Sequence, residues 1–203
     1  MKLFYARGAC SLAARIILNE IGVAIDYDAV DLKTKQTASG QDFLTINAKG
    51  YVPTLCLENG EILTENAVIL QYLADHYQAS NLLPALGDWQ RYRVLEWVHF
   101  VATELHKGCS PLFHSGIPDD LKQQIFIPKL MKALTYVDQN LQERSYLMGT
   151  HFTLPDAYLF VILRWAAACD LPLQSLQHVL RYQMQLRTRK SIADALKQEG
   201  LAP

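Results

Sequence analysis

The sequence predicts two structural classes in one chain, an α/β domain followed by an all-α domain. Three observations carry that prediction. Residues 1–80 mix short β-like runs with helical periodicity. Residues 81–203 hold one helical pattern after another. The charge changes at the same place: residues 1–80 carry 6 Lys/Arg and 9 Asp/Glu, net −3, and residues 81–203 carry 13 and 11, net +2. A polar step ending in Pro, Ala79 to Pro84, marks the break. The expected division is 1–80, a linker at 81–86, and 87–203.

Each element follows from local pattern. Lys2 to Ala6 reads as a buried strand, broken by Gly8. Leu12, Ile16, Ile17 and Ile21 recur at helical spacing from Ser11, and Gly22 offers a stop. Tyr27 to Leu32 alternates as a second strand, with Tyr27, Ala29 and Asp31 on one face. A polar loop, Lys33 to Gln41, leads to a short helix around Phe43. Val52 to Leu57 is a third strand, entered through Pro53. Asn59-Gly60 marks a tight hairpin into Ile62-Leu63. Thr64 can cap a helix over Glu65–Tyr77. The order β-α-β-α-β-β-α, a βαβ unit then a ββα unit, is thioredoxin-like. Helical patterns follow at Trp89–Phe113, Leu121–Leu141, Leu154–Cys169, Leu176–Leu186 and Ile192–Leu196.

Composition bounds the function. The 203 residues are 50% hydrophobic and 19% charged, which excludes disorder and collagen-like structure. A net charge of −1 points to no nucleic-acid partner. The cysteines, at 10, 56, 109 and 169, form no Cys-x-x-Cys pair and no zinc spacing, so reduced thiols in a reducing compartment are expected. The first residues reach Arg7 without an apolar core and do not read as a signal peptide. The longest apolar run, Ala157–Leu163, is far below the roughly 20 residues of a membrane span. The expectation is a cytoplasmic protein with no membrane partner.

Several residues can carry chemistry. Cys10 follows a strand and a Gly turn at the start of a helix, where the helix dipole favours a thiolate. A lone cysteine is more commonly buried and inert, but the end of a first strand is where an open α/β sheet exposes its site. Cys56, Cys109 and Cys169 read as packing. Ser11 reads first as a helix cap and Tyr5 as packing. Pro53 is open to two readings, an edge-strand trans proline or a cis Val52-Pro53 bond that turns the Val52 backbone toward an extended peptide ligand. Glu65 and Asn66 open a helix and suit either an amino acid's charged ends or a solvated first turn. His99, Thr103, His106 and Lys107 share a helical face, ordinarily a solvated one. His99 and His106 lie seven apart with no third ligand, so no metal is expected. Thr153-Leu154-Pro155-Asp156 is a structural capping box.

Taken together, these residues resemble a cytosolic glutathione S-transferase of the bacterial beta class. The resemblance rests on Met-Lys-Leu-Phe-Tyr…Gly-Ala-Cys-Ser-Leu, Gly-Tyr-Val-Pro-Thr-Leu, Leu-Thr-Glu, Gln-Tyr-Leu-Ala-Asp, Ala-Thr-Glu-Leu-His-Lys-Gly and Phe-Thr-Leu-Pro-Asp-Ala-Tyr, with spacing preserved from residue 1 to about 200. It implies the glutathione S-transferase fold, a thioredoxin-like glutathione-binding domain and an all-helical domain lining the co-substrate pocket. It implies that Cys10 contacts glutathione sulfur and can form a mixed disulfide with it. His106 and Lys107 would approach that sulfur, and the resemblance makes Cys10 and His106 catalytic. Ser11 sits beside Cys10. Lys35 would lie near the glycine carboxylate. Val52, before cis Pro53, would pair with the cysteinyl backbone, and Glu65 and Asn66 would hold the γ-glutamyl end. Thr103 and Glu104 match positions near the same site, Glu104 reaching it from the other subunit of a homodimer. Phe113 and Trp165 would line the apolar pocket. The family often has Ser at Asn66 and Asn at His99.

The implied activity is conjugation of glutathione, as co-substrate, to a small electrophile, alongside glutathione-dependent disulfide reduction through Cys10. A non-catalytic protein of the same fold that binds ligands or partners is the alternative. Retained Cys10, Pro53 and Glu65 count against it. A glutaredoxin-like reductase is opposed by the missing Cys-x-x-Cys and the helical second half.

Overall fold

In the computed structural model, which describes residues 1–202, the chain forms two units: 1–79 with 189–202, and 80–188. The first unit is built on a five-stranded sheet. Its strands are β1 (Lys2–Tyr5), β2 (Asp26–Asp31), β3 (Gln36–Thr37), β4 (Thr54–Cys56) and β5 (Ile62–Thr64), in the order β3-β2-β1-β4-β5. β1 and β2 pair in parallel, and the remaining pairs are antiparallel. The helix between β1 and β2, α1 (Leu12–Ile21), makes that parallel pair sterically feasible. Gly22 ends it in a left-handed conformation, its N–H returned to Leu18 and Asn19 carbonyls. The short α2 (Phe43–Ile46) is capped by the Asp42 carboxylate and packs Phe43 against Phe4 and Val30. α3 (Asn66–His76) completes the unit's predicted order.

Two local expectations change. The polar loop contains β3, a two-residue strand whose short pairing on Val30 and Asp31 leaves no periodicity to read. Tyr27, Ala29 and Asp31 alternate onto one face of β2, the less buried one, and Asp31 ends the strand. It is exposed and accepts hydrogen bonds from the Lys33 and Thr34 N–H groups, while Asp28 and Val30 are buried. Thr64 does not cap α3. It ends β5, and Glu65 is the boundary residue, at φ 72°.

The helical unit contains α4 (Trp89–Phe100), a π-helical turn (Val101–His106), α5 (Lys107–Cys109), a 3₁₀ turn (Ser110–Phe113) and α6 (Asp119–Leu121). A second π-helical turn (Lys122–Phe126) leads to α7 (Ile127–Asn140), followed by α8 (Leu154–Ala168) and α9 (Gln177–Arg187). Two predicted continuous helices are thus subdivided. Pro111 and Pro128 mark two of the changes, the 3₁₀ turn after α5 and the start of α7, since a proline lacks an N–H and crowds the carbonyl four residues before it. α8 is buried all round from Leu154 to Leu163, the pattern of a central core helix. The Asp156 carboxylate anchors its start, accepting from Thr153 N and Oγ, Leu147 N and the Tyr182 hydroxyl.

The last helix, α10 (Lys190–Gln198), belongs with the first unit rather than with the preceding helices. Specific polar contacts on α1 are the reason. Glu199 pairs with Arg15 at 3.1 Å, both buried. Its other carboxylate oxygen accepts the Gly8 N–H at 2.8 Å. Arg7 donates to the Glu199 and Gly200 carbonyls. Arg189 forks onto the Glu20 carboxylate.

Removing one member of a buried ion pair leaves an uncompensated charge. Glu199→Ala should therefore lower unfolding free energy by about 3–5 kcal/mol in denaturant titrations. Arg189→Ala should cost less, about 1 kcal/mol, and its effect should depend on pH. Burial pushes the Glu20 carboxyl up, but hydrogen bonds from Arg189 and Ser191 outweigh this and hold it below 4.5. The depressed folded value means the contribution is present above pH 4.5 and fades as pH falls through it. The gap between wild type and Arg189→Ala should narrow in acid; a constant gap would contradict the assignment.

Candidate active site

In the first unit, the turn after β1 presents Cys10 just before α1, and its side chain is 8% exposed. The Cys10 thiol donates to the Val52 carbonyl across 3.2 Å. The turn is set by Gly8, at φ 70°, and by Ser11. Ser11 does not cap α1 with its side chain. Its fully buried hydroxyl donates to the Ala6 carbonyl and accepts the Ala6 N–H, closing the turn on itself. The Val52-Pro53 bond is cis, resolving the two readings of Pro53. Lys35, at φ 58°, sends its ammonium to the Gly50 carbonyl at 2.9 Å, so Lys35 and the Gly50–Pro53 segment adjoin.

Glu65 and Asn66 behave in opposite ways. The Glu65 carboxylate, exposed, holds the Lys49 ammonium at 2.7 Å, and that ammonium also reaches Thr64 Oγ1. The geometry therefore already accommodates a cationic amine. The Asn66 side chain is buried, and both its amide oxygen and nitrogen lack any hydrogen-bond partner. A buried amide left unpaired costs about 1–3 kcal/mol. The positive φ of Glu65, uncommon outside glycine, adds strain at the same point.

In the helical unit the predicted stripe separates. His99 and Thr103 are exposed and locally bonded: His99 Nδ1 donates to the Leu95 carbonyl, and Thr103 Oγ1 donates to the His99 carbonyl. Glu104 and Lys107 are exposed as well. His106 leaves this face. It ends the π-helical turn, whose hydrogen bonds close five residues apart instead of four, and it is half-buried. There its Nδ1 lies 2.5 Å from the Tyr158 hydroxyl, and its ring meets Trp165 at 5.0 Å, edge to face. Phe113 packs on Trp165 at 5.6 Å. Burial, and secondarily the Lys107 charge, pushes the His106 imidazole down to about 4. Cys109 is buried, and desolvation pushes its thiol up to about 12. Cys56 packs at the edge of the Phe4–Phe43 cluster. No group of three His, Cys, Asp or Glu among the described residues could hold a metal.

Sequence reasoning missed Lys49 and Tyr158. Lys49 carried no signal, because its pairing with Glu65 joins residues 16 apart. Tyr158 lay inside a run read as core, and its 2% exposure agrees with that. The hydroxyl was the available clue, since a buried phenol needs a partner.

The family model for the glutathione S-transferase N-terminal domain matches residues 1–75, and that for the C-terminal domain matches residues 100–186. Glutathione S-transferase GstA of Escherichia coli O157:H7 is 43% identical over 201 residues, 99% of this chain and 100% of that protein. The chain belongs to the glutathione S-transferase family. Among solved structures, a bacterial beta class glutathione S-transferase of Sphingomonas chungbukensis aligns with a TM-score of 0.94 at 40% identity, covering 100% of both chains. A sphingomonad glutathione S-transferase complexed with glutathione aligns with the same TM-score, identity and coverage. The fold of this glutathione S-transferase family member is therefore the one its sequence implies.

With its imidazole held near 4, His106 should stay neutral across ordinary assay conditions. Its ring proton resonances should be flat from about pH 5.5 to 8 in an NMR titration. A titration step inside that window would contradict the buried, Tyr158-bonded placement.

Proposed function

We propose that this protein is a cytoplasmic, homodimeric enzyme that conjugates glutathione to small electrophiles and also reduces disulfides through Cys10. The observation that carries the glutathione reading is the buried, unpartnered Asn66 amide beside Glu65. An amino acid's carboxylate would supply the partner that the Asn66 amide N–H lacks, and its ammonium would take the place that Lys49 now holds on Glu65. Val52 fits the cysteinyl backbone, and Lys35 fits the glycine carboxylate. Exposed Leu86, Trp89 and Tyr92 offer apolar surface suited to a second copy. His99, Thr103 and Glu104 are assigned secondary contacts with glutathione, Glu104 across the dimer.

In conjugation, the glutathione thiolate attacks the electrophilic carbon. A carbon–sulfur bond forms and the leaving group departs with its electron pair. His106 and Lys107 serve the reacting sulfur, and Phe113 and Trp165 give the co-substrate its apolar surroundings. In disulfide reduction, the Cys10 thiolate attacks a glutathione-containing disulfide and releases the other thiol. A glutathione thiolate then attacks the Cys10–glutathione bond, giving oxidised glutathione and restoring Cys10. The Cys10 proton must first leave its bond to the Val52 carbonyl, whose acceptor then becomes available to the ligand backbone.

Two outcomes test the assignment. Cys10→Ala should abolish glutathione-dependent disulfide reduction while conjugation survives; unchanged disulfide reduction would sink the Cys10 route. Asn66→Ala should raise the KM for glutathione about tenfold with a smaller change in kcat, as for loss of ground-state binding. An unaltered KM would remove Asn66 from the binding site.

A further inference from the structure

We propose that Lys49 is a resident competitor for the Glu65 carboxylate, displaced by the α-ammonium of the ligand, and that it limits how strongly the protein prefers ligands carrying that ammonium. This rests on the role given above to Glu65. The Lys49 ammonium lies 2.7 Å from Glu65 Oε1 and 2.8 Å from Thr64 Oγ1. An α-ammonium has the same charge and the same three N–H donors, so it suits the same two acceptors. Two ammonium groups crowded onto those acceptors would repel each other. Binding an amino-acid end at Glu65 therefore exchanges one ammonium for another.

The fold fixes both ends of this pair and leaves the lysine arm free. Thr54 and Thr64 are partners in the β4–β5 pairing. Buried Asn47 ties the preceding loop to that register, its amide donating to Thr54 Oγ1 and to the Tyr51 carbonyl, each at 2.9 Å. Asn47 Oδ1 in turn accepts the Lys49 N–H at 3.1 Å. On the other side, the Glu65 carbonyl accepts the N–H groups of Val68 and Ile69 in the first turn of α3. The side chains, by contrast, are 53% exposed for Lys49 and 66% for Glu65. An exposed ion pair is weak, and a lysine can swing its flexible stem into water. Lys49 can thus leave Glu65 without any movement of the backbone. Lys35, whose ammonium goes to the Gly50 carbonyl, takes no part in the exchange.

Selectivity follows from the charge balance. A ligand with an ammonium gains an attraction to Glu65 but ends the one that Lys49 had. Its net gain is the difference between two similar ion pairs. A ligand without the ammonium leaves the Lys49–Glu65 pair intact and forfeits little. With Lys49 gone, the first ligand keeps its whole attraction to the carboxylate, while the second meets a carboxylate that has no counter-ion.

Titration calorimetry with S-methylglutathione, and with its analogue lacking the α-amino group, tests this. Neither compound has a free thiol, so neither exchanges with Cys10. The readout is the ratio of the two dissociation constants, in which attraction to the carboxylates shared by both ligands cancels. In Lys49→Met that ratio should move about two- to fivefold in favour of S-methylglutathione. Lys49→Arg, which keeps a cation, should show the wild-type ratio. No shift in Lys49→Met, or an equal shift in Lys49→Arg, would overturn the proposal. Glu65→Gln added to Lys49→Met should weaken S-methylglutathione binding. Weakening there without a shift in Lys49→Met overturns the competitor role alone and leaves the role of Glu65 standing. An absence of weakening overturns the role given to Glu65, and the proposal with it.

Discussion

The buried Arg15–Glu199 pair is the constraint on which the first unit most depends. Both side chains are nearly inaccessible, and neither charge could remain there alone. Glu199 divides its oxygens between Arg15 and the Gly8 N–H. Arg15 is in turn sandwiched by aromatic rings, its guanidinium 3.7 Å from the Tyr27 ring centre and 4.4 Å from that of Tyr5. One carboxylate thus ties the end of the chain to the first helix, to the first two strands and to the turn that leads into Cys10. Desolvation raises the Glu199 carboxyl, and the Gly8, Arg15 and Arg7 groups oppose that shift.

The helical unit solves a different problem. Its central helix is apolar on every side, so the polar groups it carries have to find partners inside the unit. Asp156 receives four donors and Tyr182 is among them. Tyr158 finds His106. That histidine comes from a neighbouring segment, the π-helical turn Val101–His106. Lys107, one residue later, stays in solvent.

Much of the first unit was readable along the chain. Val52-Pro53-Thr54, Asn59-Gly60 and the Leu12–Ile21 periodicity each report local physics, namely a missing donor, a turn preference and a buried helix face. Cys10 was legible for the same reason, because strand, glycine turn and helix start follow one another directly. The partner of Glu65 was not legible, since Lys49 reaches it only after the β4–β5 hairpin folds back. Nor was the fate of Asn66, whose amide is buried without a partner although Asn ordinarily marks an exposed helix start. The stripe His99–Lys107 misled because an ideal 3.6-residue period was assumed where the helix widens.

Composition and pattern were sufficient for the architecture: two units of different class, their strands and helices in order, and a cysteine at a helix start. Those properties depend on backbone preference and on which residues prefer to be dry, and both act over a few neighbouring residues. Folding in three dimensions set the rest. It placed residues 189–202 with the first unit, turned His106 to Tyr158 and left Asn66 unpaired. Each of these comes from a contact between segments distant along the chain, where one buried polar group must be met by another, and no local pattern carries that requirement.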